Sequence, residues 1–164
     1  MTKRFACLAL GLFLILFQSS LFSFFPIEFA KPDLAVPFII YATFFLSPLE
    51  GLIVAVLFGF SQELLSASPP GSMLFTKLAV FLSGAFLRTR LYIESRYIFS
   101  FLSMGFSVFE SLVFLALGLV AKGEIRNVFN ISLYAVPSAL FTGMLSLPLF
   151  TLLEHFKIRN PDRV

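Results

Sequence analysis

Charge is scarce in this chain. Only 13% of its 164 residues are Asp, Glu, Lys or Arg, about half the share found in soluble domains. That is too few to coat a water-facing globule. A single cysteine, Cys7, excludes a disulfide framework. His155 is the one histidine, and Cys7 lies at the opposite end of the chain, so no metal cluster is expected. His155 instead reads as a cationic cap on a helix C-terminus. Tryptophan is absent. The segment PPGS at 69–72 lacks the Gly-Lys-Ser ending of a phosphate loop. No G-x-S-x-G elbow occurs. No loop carries paired carboxylates for acid–base work, and Glu124 beside Arg126 reads as solvated. The expectation is a protein with no catalytic constellation and no required cofactor or metal. The net charge of +3 is not a nucleic-acid signature, because the basic residues form short clusters beside apolar runs.

What the chain does contain is hydrocarbon. Apolar residues make up 59% and aromatics 17%, with 24 phenylalanines, and the mean hydropathy is +0.96. Disorder is excluded by the same figures. At about 20 residues per helical span, the length accommodates about five to seven crossings and no second, soluble domain. Six apolar runs can be read: Phe5 to Phe25, Leu34 to Ser47, Gly51 to Leu65, Met73 to Leu87, Tyr97 to Ala121 and Ile131 to Glu154. The first run is roughly 30 Å long as a helix, the thickness of the hydrocarbon core. A secretory leader is the alternative, with Lys3 and Arg4 as its basic start. No small-x-small cleavage site follows, and Phe22, Phe24 and Phe25 crowd the place where one belongs. Runs two and three are separated by Ser47-Pro48-Leu49-Glu50, read as a turn between two helices. The segment SASPPGS, 66–72, is the strongest breaker in the chain.

Six spans put both ends of the chain on one side. Lys3, Arg4, Arg88, Arg90, Arg96, Lys157, Arg159 and Arg163 fall on that side, eight in all; Lys31, Lys122 and Arg126, three in all, fall on the other. The positive-inside rule then predicts that both termini are cytoplasmic.

Three runs carry small residues at helical spacing: Gly51, Ala55 and Gly59; Ser103, Ser107 and Ser111; and Ala135, Ala139 and Gly143, flanked by Ser138, Thr142 and Ser146. Such stripes let helix backbones approach in lipid. The last set covers two faces, so one can pack inward while the other receives a partner helix. Cys7, Gly11 and Gln18 on the first run form a competing partner site. Lys77 and Glu110 lie well inside apolar runs, and intramembrane charges face protein or water and usually have partners. Glu63 extends the Gly51–Gly59 face and lies at a depth similar to Lys77 on the next run. A Glu63–Lys77 ion pair is one reading; the other has Lys77 snorkelling to the interface. Glu110 reads as a hydrogen-bonded group in the bundle or as part of a proton or substrate pathway.

Two segments resemble the bacterial rod shape-determining protein MreD family. The first is KPDLAVPFIIY, Lys31 to Tyr41, opening on Lys31, Pro32, Asp33 and Leu34. The second is GFSQELLSASPPGS, Gly59 to Ser72, where Gly59, Leu65, Ser66, Pro69 and Gly71 match in register, Glu63 replaces the usual aspartate and Ala67 a frequent glycine. The resemblance implies an all-α integral membrane protein, a six-helix bundle similar to the substrate-binding subunit of energy-coupling factor vitamin transporters. It implies a non-enzymatic part of the machinery that elongates the lateral cell wall. MreC would be the direct partner, with MreB, RodA and a class B penicillin-binding protein as complex members. A vitamin-binding transporter subunit is the alternative. The short outer loops, offering Glu28, Asp33 and Glu124, are thin for such a ligand site.

Overall fold

The computed structural model describes residues 32–66, 70–122 and 128–155. The first apolar run, Lys31, Ala67, Pro69, Glu124 and Arg126 lie outside the described residues, as does the side chain of His155. The described residues form five helices: α1 Ala35–Phe45, α2 Pro48–Leu65, α3 Ser72–Arg88, α4 Arg96–Lys122 and α5 Val128–His155. They are all-α. Three helical segments, Pro48–Leu65, Arg96–Val120 and Ala135–Glu154, are long and apolar enough to cross a membrane.

Helix α1 has 11 residues, about 16 Å of axis, or half the thickness of a hydrocarbon core. It is apolar on every face, and every residue from Ala35 to Thr43 is buried. A helix with no polar face belongs in a core. α1 accordingly touches each of the other four helices. Phe38 meets the Phe58 ring edge-on at 5.3 Å between centroids, while Tyr41 packs against Phe45, Phe99 and Phe150. At the C-terminal end of α1, where helical carbonyls lose their partners, Arg88 donates to the Thr43 carbonyl at 2.7 Å.

The segment read as a turn, Ser47 to Glu50, is instead the beginning of α2. Ser47 Oγ accepts from the Glu50 amide at 3.4 Å, and Glu50 Oε2 accepts from the Ser47 amide at 3.0 Å. This reciprocal box leaves Pro48 in the first turn, where its missing N–H is harmless. Pro48 and Glu50 therefore start a helix rather than break one. The separation of α1 from α2 rests on Leu46 and Ser47 alone.

Small residues decide how closely the helices approach. A Cβ on Gly59 would stand 2.9 Å from Leu74 Cα, and one on Gly51 would stand 2.8 Å from Phe81 Cε2. The Gly51–Ala55–Gly59 stripe thus lets α2 lie against α3. Between α4 and α5 the close contact is at Gly143, where a Cβ would stand 2.1 Å from Met104 Cγ. Ser100 Oγ donates to the Gly143 carbonyl at 2.6 Å across the same contact.

This corrects the expectation that α5 leaves one small-residue face open for a partner. Ala139, Thr142, Gly143 and Ser146 are buried, and Ala135 and Ser138 are partly buried. Ser146 donates to the Gly143 carbonyl at 2.6 Å and Thr142 to the Ser138 carbonyl at 2.8 Å. Hydroxyls in an apolar helix satisfy themselves on their own backbone, which leaves the small side free to pack. The outward face of α5 carries Val136, Leu140, Phe141, Met144 and Leu152. Pro137 and Pro148 lie within α5, which runs through both.

Replacing Gly143 by Val should lower stability by about 1–3 kcal/mol, the ordinary range for overpacking. Adding Met104→Ala to that variant should recover most of the loss. Thermal unfolding of the detergent-solubilised single and double variants checks both outcomes.

A buried charge cluster as the candidate functional site

The charged groups within the apolar bundle converge on one point. Lys77, on α3, is fully buried, and its ammonium is bonded to Asp33 Oδ2 and Glu110 Oε1 together. Asp33 stands two residues before α1, and Glu110 lies near the middle of α4. Asp33 is the hub. Its Oδ1 accepts from Gln62 Nε2 of α2 at 2.9 Å and from the Ala35 amide at 2.9 Å. Its own amide donates to Thr142 Oγ1 of α5 at 3.0 Å. One aspartate with its neighbours therefore ties α1, α2, α3, α4 and α5 at a single place.

Each contact has a local reason. The Ala35 amide is among the first N–H groups of α1, which have no helical partner, and a carboxylate just ahead of the helix accepts from it. Lys77 sits on the same side of α3 as Thr76, Val80, Phe81 and Gly84, all buried. From there its stem crosses apolar packing and its head must find anions within the protein. Ser103 and Ser107 precede Glu110 on the buried face of α4, so the serine stripe and the carboxylate point into the bundle together.

The expected Glu63–Lys77 pair is replaced by two separate arrangements. Lys77 takes Asp33 and Glu110. Glu63 takes the N-terminus of α3, accepting from the Gly71 and Leu74 amides, the second at 3.1 Å. The N-cap of α3 is Gly71, whose φ of 86° glycine adopts freely and which has no side chain to cap with. A carboxylate from the preceding helix supplies both the acceptor and the negative charge that this end favours. Lys77 is buried and paired, not snorkelling. Glu110 is a member of the cluster.

Reading depth along consecutive runs favoured Glu63, the nearest carboxylate in sequence. Asp33, 44 residues from Lys77, stands out in the sequence as part of the Lys31–Leu34 motif and as an outer-loop acid, not as a partner of Lys77. Gln62 and Thr142 were not singled out as ligands of Asp33. The available signal was their position: a polar group one residue before Glu63, and a hydroxyl in the small-residue stripe of α5.

Chemically, this is a lysine shared by two carboxylates. The further hydrogen bonds of Asp33 run to the Ala35 amide, the Gln62 side chain and the Thr142 hydroxyl. Among the described residues, no group of three His, Cys, Asp or Glu residues could hold a metal ion. Comparison with family models, curated proteins and solved structures returns no match for the chain.

Breaking the cluster by Lys77→Met should cost about 3–5 kcal/mol, because two carboxylates then lose their buried partner. The triple change Asp33→Asn, Lys77→Met and Glu110→Gln should be milder than Lys77→Met alone. In double-mutant cycles, Lys77 with Asp33 should couple by more than about 0.5 kcal/mol, the usual limit for independent sites. Lys77 with Glu63 should be additive within that limit. Equilibrium unfolding in mixed micelles measures each corner.

Proposed function

We propose that this chain is a non-enzymatic, multi-pass subunit of the bacterial machinery that elongates the lateral cell wall, of the rod shape-determining MreD kind. It sits in the cytoplasmic membrane with both termini in the cytoplasm and acts by binding MreC, which links it to the peptidoglycan synthases. The observation that carries this reading is the use made of the motif residues. Asp33 of the first segment accepts from Gln62 of the second, and Glu63 of the second accepts from Gly71 of that same segment. Both carboxylates are occupied in holding helix ends and helix pairs. Such occupation supports an adaptor, whose product is a shaped membrane surface, over a catalyst.

The two faces of α5 that carry small residues are packed inward, so they offer no seat for MreC. The remaining seat read from the sequence is the stripe Cys7, Gly11 and Gln18 on the first apolar run. Small residues there would let the single span of MreC approach closely.

The test is affinity capture of the tagged chain from bacterial membranes, followed by identification of co-purifying proteins. MreC should be recovered, and Gly11→Leu should abolish its recovery while the variant remains inserted and expressed. A chain that inserts normally and brings down no MreC overturns the proposal. Stoichiometric retention of a vitamin would favour the transporter-subunit reading instead.

A further inference from the structure

A groove of about 270 Å³ runs between the start of α4 and the C-terminal half of α5, lined by Arg96, Tyr97, Leu147, Pro148 and Thr151. We propose that it binds one anionic glycerophospholipid, with the phosphate at Arg96 and a stretch of acyl chain along Leu147 and Pro148.

The register of the two helices brings these residues together. Ser100 Oγ reaches the Gly143 carbonyl, and one turn further toward this end of the bundle Arg96 comes level with Leu147. Pro148 has no N–H for the Met144 carbonyl, so the α5 ladder is interrupted where the groove lies. The volume is below the about 300–1,000 Å³ of pockets that enclose a whole small ligand. It fits a chain segment lying in a shallow channel, with the rest of the lipid in the surrounding layer.

The charge is complementary to a phosphate. The Arg96 guanidinium lies over the Tyr97 ring at 5.4 Å. Among the described residues no carboxylate pairs with it. The end of α3 and the loop that follows it add Arg88 and Arg90 against one acid, Glu94. Arg88 is engaged by the Thr43 carbonyl and Arg90 does not line the groove, so among the described residues Arg96 is the cation at the groove. Glu154 on α5 is about 10 Å further along the axis from Leu147. Tyr92 and Tyr97 are 68% and 65% exposed, as aromatic side chains are at headgroup level. Basic pockets between membrane helices at that level bind lipid phosphates. The choline head of a zwitterionic lipid would bring its cation toward Arg96 and Arg90, so an anionic head is selected.

Native mass spectrometry of the purified full chain, released from micelles holding equal phosphatidylglycerol and phosphatidylcholine, tests this without any protein partner. Phosphatidylglycerol should be retained about fivefold over phosphatidylcholine, the effect of one well-placed basic residue. Arg96→Gln should bring the two to parity, and Leu147→Trp, which fills the channel, should lower phosphatidylglycerol retention. Arg90→Gln should leave the preference in place. Equal retention of both lipids by the unaltered chain overturns the proposal. So does a loss in Arg90→Gln as large as in Arg96→Gln, which would mean general surface charge. Displacement of the lipid by excess inorganic phosphate would mean a small-anion site and would also overturn it.

Discussion

The ammonium of Lys77 is enclosed on all sides by protein, and it stands there only because Asp33 and Glu110 both reach it. An unpaired charge in such a place costs several kcal/mol after all relaxation. The two acids come from the segment before α1 and from the middle of α4, and the lysine from α3. Satisfying one lysine therefore sets three elements relative to each other. Gln62 and Thr142, bonded to the same aspartate, bring in α2 and α5. The short α1 follows from this arrangement. Its start is anchored by Asp33 and its end by Arg88, so 11 residues suffice where a free-standing span would need about 20.

Around that point the bundle is assembled by close approach. Lipid chains are as apolar as leucine, so burying phenylalanine against phenylalanine provides little preference for one neighbour over the surrounding lipid. Glycines at positions 51, 59 and 143 are different, because each admits a facing atom that any side chain would displace. The exposed residues on the outward faces, such as Leu52, Phe60, Phe101, Leu112 and Met144, are large and apolar. They give the bundle an outer surface suited to hydrocarbon. The interior is mostly apolar but also holds Thr43, Thr76, Lys77, Ser103, Ser107, Glu110, Thr142 and Ser146, and the few charges of the chain are correspondingly informative.

Much of this was legible in the residues. Apolar runs bounded by proline, glycine and arginine marked the helices of the described residues to within a few positions, because few other signals compete in so apolar a chain. Spacing of four between Gly51, Ala55 and Gly59 identified a packing face correctly. Polar partners were harder to read. Depth along a run constrains only one coordinate, and Lys77 can reach any carboxylate at the same height. Glu63 was the nearest in sequence, but α3 begins beside it with unsatisfied N–H groups and no capping side chain, and those took its carboxylate first. Ser47 to Glu50 misled for a related reason. Proline and glutamate after serine can close a turn or open a helix, and only the reciprocal hydrogen bonds distinguish the two. The stripes of α5 were ambiguous because a small residue permits contact without naming what it touches.

An apolar replacement for the cluster would offer comparable packing, and buried ion pairs are in general weak sources of stability. What the cluster adds here is uniqueness. A bundle held by small residues alone can slide by one turn and find another small residue, since stripes repeat every four positions. Lys77 cannot slide: a one-turn shift of α3, about 5.4 Å, would carry its ammonium away from both acids and leave two buried charges, Lys77 and Glu110, and the half-buried Asp33 without their ion pairs. The repeated stripes therefore permit several registers, and the single shared lysine selects one of them.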